Sequence, residues 1–168
     1  PLGDRIAATP DYQPEDFFAS LTAITDVEGT TYGVPFYNYA LGYIYNTGDL
    51  TAAGQSVPTD LDALVSTSQR LKTADRAGIA MQPQRGYKIF EEWANWLFAA
   101  GGSIYGEDGK PTLDTPQAAR ALDAYIETYR TAAPANSLSW GFDEAFRSVS
   151  GGLAASMIGY NWNLPALN

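Results

Sequence analysis

The 168-residue chain contains no cysteine and no histidine. Without cysteine there can be no disulfide, no thiolate nucleophile and no Cys-based zinc or iron–sulfur site. The compartment stays open, because proteins of the bacterial periplasm also do without cysteine. Without histidine the commonest general base and metal ligand is missing, so neither a Ser-His-Asp triad nor an HExxH site can be assembled. No catalytic residue, cofactor or metal is expected. Basic residues are scarce: 10 Lys and Arg stand against 19 Asp and Glu, for a net charge of −9. They form no cluster, and a phosphate backbone or anionic membrane surface would repel the chain, so no nucleic-acid partner is expected. No apolar run approaches the ~20 residues of a membrane span. The sequence does not open on methionine, and none of its residues is expected to form a signal peptide. The ends, PLGDRIAATPDY and NWNLPALN, do not read as natural termini, and the chain is expected to be an internal portion of a longer protein.

What is present is a globular composition, 45% hydrophobic and 17% charged. Turn residues lead into a short helix over 10–21, with Pro14 near its start. Residues 26–37 read as a hairpin turning at Glu28-Gly29, with a strand from Thr30 to Tyr37 that Pro35 pushes toward an edge. A second extended segment covers 40–46, with Leu41, Tyr43 and Tyr45 on one face and Gly42, Ile44 and Asn46 on the other. A loop with a possible helical turn follows. Residues 58–75 predict an amphipathic helix capped at Thr59, 78–84 a buried strand, and 86–102 an apolar helix closed by Gly101 and Gly102. A turn centres on Asp108-Gly109. Thr115 and Pro116 open a helix over 115–132 with a stripe of Ala118, Leu122, Tyr125 or Ile126, and Tyr129. A shorter helix (142–152), a strand (153–159) and a loop (160–165) complete the order. The class is α/β with a helix-rich half.

The acidic pairs carry little chemistry. Glu91 and Glu92 are helix neighbours about 100° apart, so they do not converge on one bond and read as a solvated face. Asp143-Glu144 suits the first turn of a helix. GEDGK lacks the ligand ladder of a calcium loop and the glycine pattern of a phosphate loop. The 22 aromatics say more. Phe90, Trp93, Trp96 and Phe98 fit a helix packed into a core. Tyr37, Tyr39, Tyr87, Trp140, Tyr160 and Trp162 fall at loops or strand ends, beside Asn38, Arg85, Asn161 and Asn163. Flat rings with polar neighbours suit the C–H face and hydroxyls of a sugar, although ordinary packing would explain them equally.

In order along the chain, YGVPFYNYALGYIYN (32–46), VPTDLDALVSTSQRL (57–71), FEEWANWLFAAGGSIYGEDGKPTLDTPQAARALDAY (90–125) and WGFDEAFRSVSGGLAASMIGYNW (140–162) resemble the family 1 extracellular solute-binding proteins of ABC importers, the maltose-binding-protein-like sugar receptors. Asp60-Leu61, Val149, Leu153 and Ser156 depart from that pattern, mostly at packing or surface positions, and leave the subfamily and its ligand unassigned. The resemblance implies a type II periplasmic-binding-protein-like bilobal fold. Residues 1–40 would be part of lobe I, ending at the first hinge crossing, and 41–168 the hinge strand and most of lobe II. It implies a monomeric, periplasmic or otherwise extracytoplasmic receptor, membrane-anchored if a lipoprotein. The receptor would capture a sugar, oligosaccharide or polyol and deliver it to the transmembrane subunits of an ABC permease. Tyr37, Asn38 and Tyr39 match the lobe I contact loop. Arg85, Gly86, Tyr87, Trp140, Asn161 and Trp162 match lobe II contacts, with Trp162 and either Tyr87 or Trp140 as a stacking platform. The rival readings are an acidic solute such as an opine paired with Arg85, and a glycoside hydrolase fragment with two convergent carboxylates.

Overall fold

The computed structural model describes residues 1–167. Contacts divide the chain into two compact units, Pro1–Tyr39 and the chain from Ala40 onward.

In the first unit, helix α1 (Gly3–Ala7) precedes a 3-10 turn at Pro14–Asp16 and helix α2 (Ala19–Ala23). The single helix expected over 10–21 is therefore two short pieces. Phe17 and Phe18 adopt extended backbone angles between them and interrupt the hydrogen-bond ladder. Strands β1 (Asp26–Val27) and β2 (Thr30–Thr31) form the hairpin, with Glu28 at φ 53 and Gly29 at φ 77 in the turn. Two positive φ values match the right-handed twist of paired strands. The strand predicted to reach Tyr37 ends at Thr31, since β1 offers only two residues to pair with.

The second unit is built on β3 (Leu41–Tyr45), which pairs antiparallel with β4 (Ser156–Tyr160) from Leu41↔Tyr160 to Tyr45↔Ser156. The buried segment 77–83 runs parallel to β4, bridging at Ala77↔Ala154 and Ala80↔Met157. The strand expected over 78–84 is thus an adjunct held by single bridges. Gly78 is required there, because a Cβ would stand in contact with the Ser68 carbonyl oxygen of the neighbouring helix. Alternate residues of this layer serve opposite faces. Tyr43, Ile79 and Met81 join one core with Trp96, Leu97 and Tyr125, while Ile44, Ala80 and Met157 join another with Phe142 and Phe146.

Helices cover both faces. The helical turn allowed for in the loop after residue 46 is helix α3 (Thr47–Ala52), where Asn46 Oδ1 accepts the Asp49 N–H at 3.1 Å and caps it. Helix α4 (Leu61–Leu71) is capped by Asp60 and not by Thr59: Asp60 Oδ1 takes the Ala63 N–H at 2.8 Å. Helices α5 (Tyr87–Ala99) and α6 (Pro116–Ala132) pack with α4 around Trp96. Thr115 caps α6 as expected. The buried stripe of α6 is Ala118, Ala121, Ala124, Tyr125, Thr128 and Ala132, so the expected Leu122 position is wrong. Alanines allow α6 to approach α4 and α5 closely, and Leu122 turns outward, 47% exposed. Phe90 and Phe98 are likewise exposed, while Trp96 is buried. Helix α7 (Phe142–Ser150) lies against β4, and its Glu144 carboxylate accepts the Gly141 N–H at 3.0 Å. Asn161–Ala166 is a 3-10 turn where a loop was predicted.

Candidate functional site

Four elements of the second unit converge on one group of rings. Gly86 opens α5 at φ 115, ψ −140, a conformation available to glycine, and sends Tyr87 and Lys88 into the first helical turn. Phe142 comes from the start of α7, Tyr160 from the end of β4, and Trp162 from the 3-10 turn beyond it. Tyr160 and Trp162 stack with centroids 5.8 Å apart. Phe142 lies 5.1 Å from Tyr160 and 5.8 Å from Trp162. Trp162 and Tyr87 are 59% and 63% exposed, whereas Tyr160 is buried.

A charged pair binds this group together. The Lys88 ammonium lies 4.9 Å from the Tyr160 ring centroid, 5.1 Å from that of Tyr87 and 5.5 Å from that of Phe142. It donates at 2.8 Å both to Glu91 Oε1 and to the Tyr160 oxygen. The Tyr160 hydroxyl donates to Glu91 Oε1 at 2.5 Å, and the Tyr87 and Tyr160 oxygens are 3.3 Å apart. Desolvation alone would raise the Glu91 carboxyl, but hydrogen bonds from Lys88, Tyr160 and Tyr87 together hold it below its ordinary range. Hydrogen bonding to Glu91, then to Tyr160, raises Tyr87 above the usual phenol range.

The solvated face expected for Glu91-Glu92 is therefore overturned. Glu91 sits among the rings, and Glu92 is buried, accepting from the Tyr125 hydroxyl and the Gln82 N–H. The two carboxylates have separate partners and share no bond, so they make no hydrolytic pair.

Arg85, Gly86 and Tyr87 lie together at the exposed mouth of α5. Trp140 is half-buried and packs, as Phe142 does, against the Ala80, Ala145 and Met157 core. Asn161 Oδ1 accepts the Ala40 N–H at 3.1 Å, while its own N–H donates to the Ala40 carbonyl at 3.0 Å. That side chain extends the β3–β4 ladder by one residue. Asn163, placed by sequence beside the ring-bearing loops, is buried. In the first unit Tyr37, Asn38 and Tyr39 are exposed, and the two tyrosine rings stack at 5.8 Å. Lys88 and Phe142 are not among the residues singled out from the sequence, and Glu91 is read there only as part of a solvated face. The i, i+3 and i, i+4 spacing of Tyr87, Lys88 and Glu91 was the available signal, since it puts them on one face of α5.

A family model for bacterial extracellular solute-binding proteins matches residues 1–166. A relative named as a probable amino-acid ABC transporter periplasmic-binding protein, from Sinorhizobium fredii, is 23% identical over 88% of this chain and 35% of its own length. Among solved structures, an ABC transporter solute-binding protein from Agrobacterium radiobacter in complex with ribitol is 28% identical, with a TM-score of 0.82 over 95% of this chain and 41% of that one. A Thermotoga lettingae solute-binding protein bound to α-D-tagatose is 19% identical, with a TM-score of 0.85 over 99% of this chain and 44% of that one. The chain thus spans less than half the length of each of these relatives.

Proposed function

This chain belongs to the bacterial extracellular solute-binding proteins, and on that premise we propose that it is part of an ABC importer's receptor for a sugar, oligosaccharide or polyol. Its α/β fold is that of the type II periplasmic binding proteins. In this reading residues 1–40 belong to lobe I and end at the first hinge crossing, and 41–168 supply the hinge strand and most of lobe II. The receptor works outside the cytoplasm as a monomer and hands its solute to a membrane permease without altering it.

The observation that carries the reading is the ring platform. Two exposed aromatic faces, Tyr87 and Trp162, border a polar network of Lys88, Glu91 and Tyr160. Apolar faces beside hydrogen-bonding tips suit a polyhydroxylated molecule, which has C–H faces and hydroxyl edges. Tyr87 and Trp162 carry the stacking, and Arg85 and Gly86 shape the loop beside them. Trp140 and Asn161 complete the lobe II contacts in this reading. Tyr37, Asn38 and Tyr39 act as contacts from lobe I. The ribitol complex of the Agrobacterium radiobacter relative supports a polyol.

Exposed Arg85, together with a relative named for amino acids, favours one second reading: a solute bearing a carboxylate, such as an opine. Titration of the full-length receptor with ribitol, D-mannitol, maltose and an opine, read by tryptophan fluorescence and melting temperature, separates the two. A response to a polyol or sugar is expected. A response to the opine alone would replace the first reading with the second, and silence across the panel would remove both.

A further inference from the structure

The hydrogen bonds of the platform have a direction. A phenolic hydroxyl has one proton to give and two lone pairs to offer. Tyr160 gives its proton to Glu91 Oε1 and receives a proton from Lys88 on one lone pair. Its only proton is thereby committed to Glu91, so in the contact with Tyr87 the Tyr87 hydroxyl is the donor. The alternative partner for the Tyr87 proton is the Glu91 carboxylate itself, which accepts and cannot give. Either way the Tyr87 proton is drawn inward. Its oxygen, on an exposed ring, then has only lone pairs left for anything that arrives.

We propose that Tyr87 is a ligand-contacting acceptor at the outer end of a relay that terminates on Glu91, and that the site therefore selects solutes that present a hydroxyl or ammonium proton there. This deepens the reading above and rests on the solute binding at this platform. Groups that only accept are refused at the Tyr87 position: a carboxylate, an ether oxygen or a carbon-bound fluorine. Lys88 fixes the polarity without touching the solute. Its charge keeps Glu91 ionised, and an ionised carboxylate can only accept. The relay thus disfavours a carboxylate against Tyr87, and an acidic solute would have to keep that group elsewhere.

The test has two arms. In the first, whichever of ribitol, D-mannitol or maltose binds the full-length receptor is compared by calorimetry with its monodeoxy and deoxyfluoro analogues. At one hydroxyl position both replacements should weaken binding by about tenfold, the worth of one hydrogen bond. In Tyr87→Phe that difference should vanish. Fluorine that restores the affinity, or a penalty that survives in Tyr87→Phe, overturns the proposal. In the second arm, which needs no solute, 13C-labelled tyrosine is titrated by NMR, with Tyr87→Phe assigning the resonance. Tyr87 should resist ionisation in the parent, and Glu91→Gln should bring it back toward an ordinary phenol. A Tyr87 that ionises as an ordinary phenol in the parent overturns the relay. If no probe binds, the sugar reading fails on the first arm, while the relay is judged on the second.

Discussion

The Tyr125 hydroxyl lies 2.7 Å from Glu92 Oε2, and the Gln82 N–H reaches the same oxygen at 2.8 Å, all within the core between α5, α6 and the 77–83 segment. One carboxylate oxygen collects both donors, and Oε1 has no partner among the described residues. Burial pushes the Glu92 carboxyl up from 4.5 to about 7, against the opposing pull of Tyr125 and Gln82.

The sign of the resulting pH dependence follows. A carboxyl whose value is raised by folding binds its proton more tightly in the native state. Its contribution to stability is complete below about 4.5 and is lost as pH climbs through about 7. The displacement corresponds to roughly 3 kcal/mol. Glu92→Gln copies the protonated acid, with its carbonyl in place of Oε2. The variant and the parent should melt together at pH 5. At pH 8 the variant should be the more stable, by roughly 5 °C or more. Parallel melting curves from pH 5 to 8 would show that Glu92 does not titrate in the core.

Exposure makes Trp162 separable from folding. Its ring stacks on Tyr160 but stays 59% exposed, so Trp162→Ala should change stability by no more than about 1 kcal/mol. Loss of one stacking face should weaken binding of a responding sugar or polyol by roughly 10–100-fold, comparable to an aromatic contact of 1–3 kcal/mol. Calorimetry on this variant decides the matter. Affinity retained within twofold would move the solute off this platform.

Local signals were legible in the sequence where the cause is itself local. Thr115-Pro116 announced α6 because a cap and a fixed φ act within one turn. The alternation of β3 was readable too: Tyr43 and Tyr45 stack at 5.5 Å on one side, while Ile44 enters the opposite core. The site was half legible. Tyr87 and Trp162 stood out as rings at element ends. Glu91 did not, because a carboxylate on α5 looks the same in sequence whether it meets water or a tyrosine arriving from 69 residues away. The buried face of α6 was misread for a related reason. Whether alanine or leucine packs inward depends on how near the partner helix comes, and that distance is set by the whole layer.

At Gly86 the backbone sets the aim of the site. Its φ of 115 lies where an L side chain is strained, yet nothing stands within 4 Å of where a Cβ would be. Gly86→Ala should therefore cost roughly 1–3 kcal/mol through the backbone and not through a clash. Any relaxation of that strain redirects Tyr87, the next residue. The expected outcome is a folded protein with weakened solute binding and a Tyr87 phenol closer to ordinary behaviour in the NMR titration. Unchanged stability together with unchanged binding would show that the loop has room to absorb the side chain.

A final consequence concerns the outward faces of α5 and α6. Phe90, Trp93, Leu122, Ile126, Tyr129 and Leu138 line an open apolar groove of about 690 Å³. Apolar surface gathered in this way attracts hydrophobic dyes and other copies of the chain. Leu122 is half exposed at its wall, so a charge there meets water and not the core. Leu122→Lys in the isolated 168-residue chain should lower anilinonaphthalene sulfonate fluorescence and raise the concentration at which aggregation begins. Its cost in stability should stay within about 0.5 kcal/mol, as for surface substitutions. A loss of several kcal/mol would instead mean that Leu122 is packed and the groove closed in solution. Unchanged dye binding with unchanged stability would place the exposed apolar surface elsewhere on the chain.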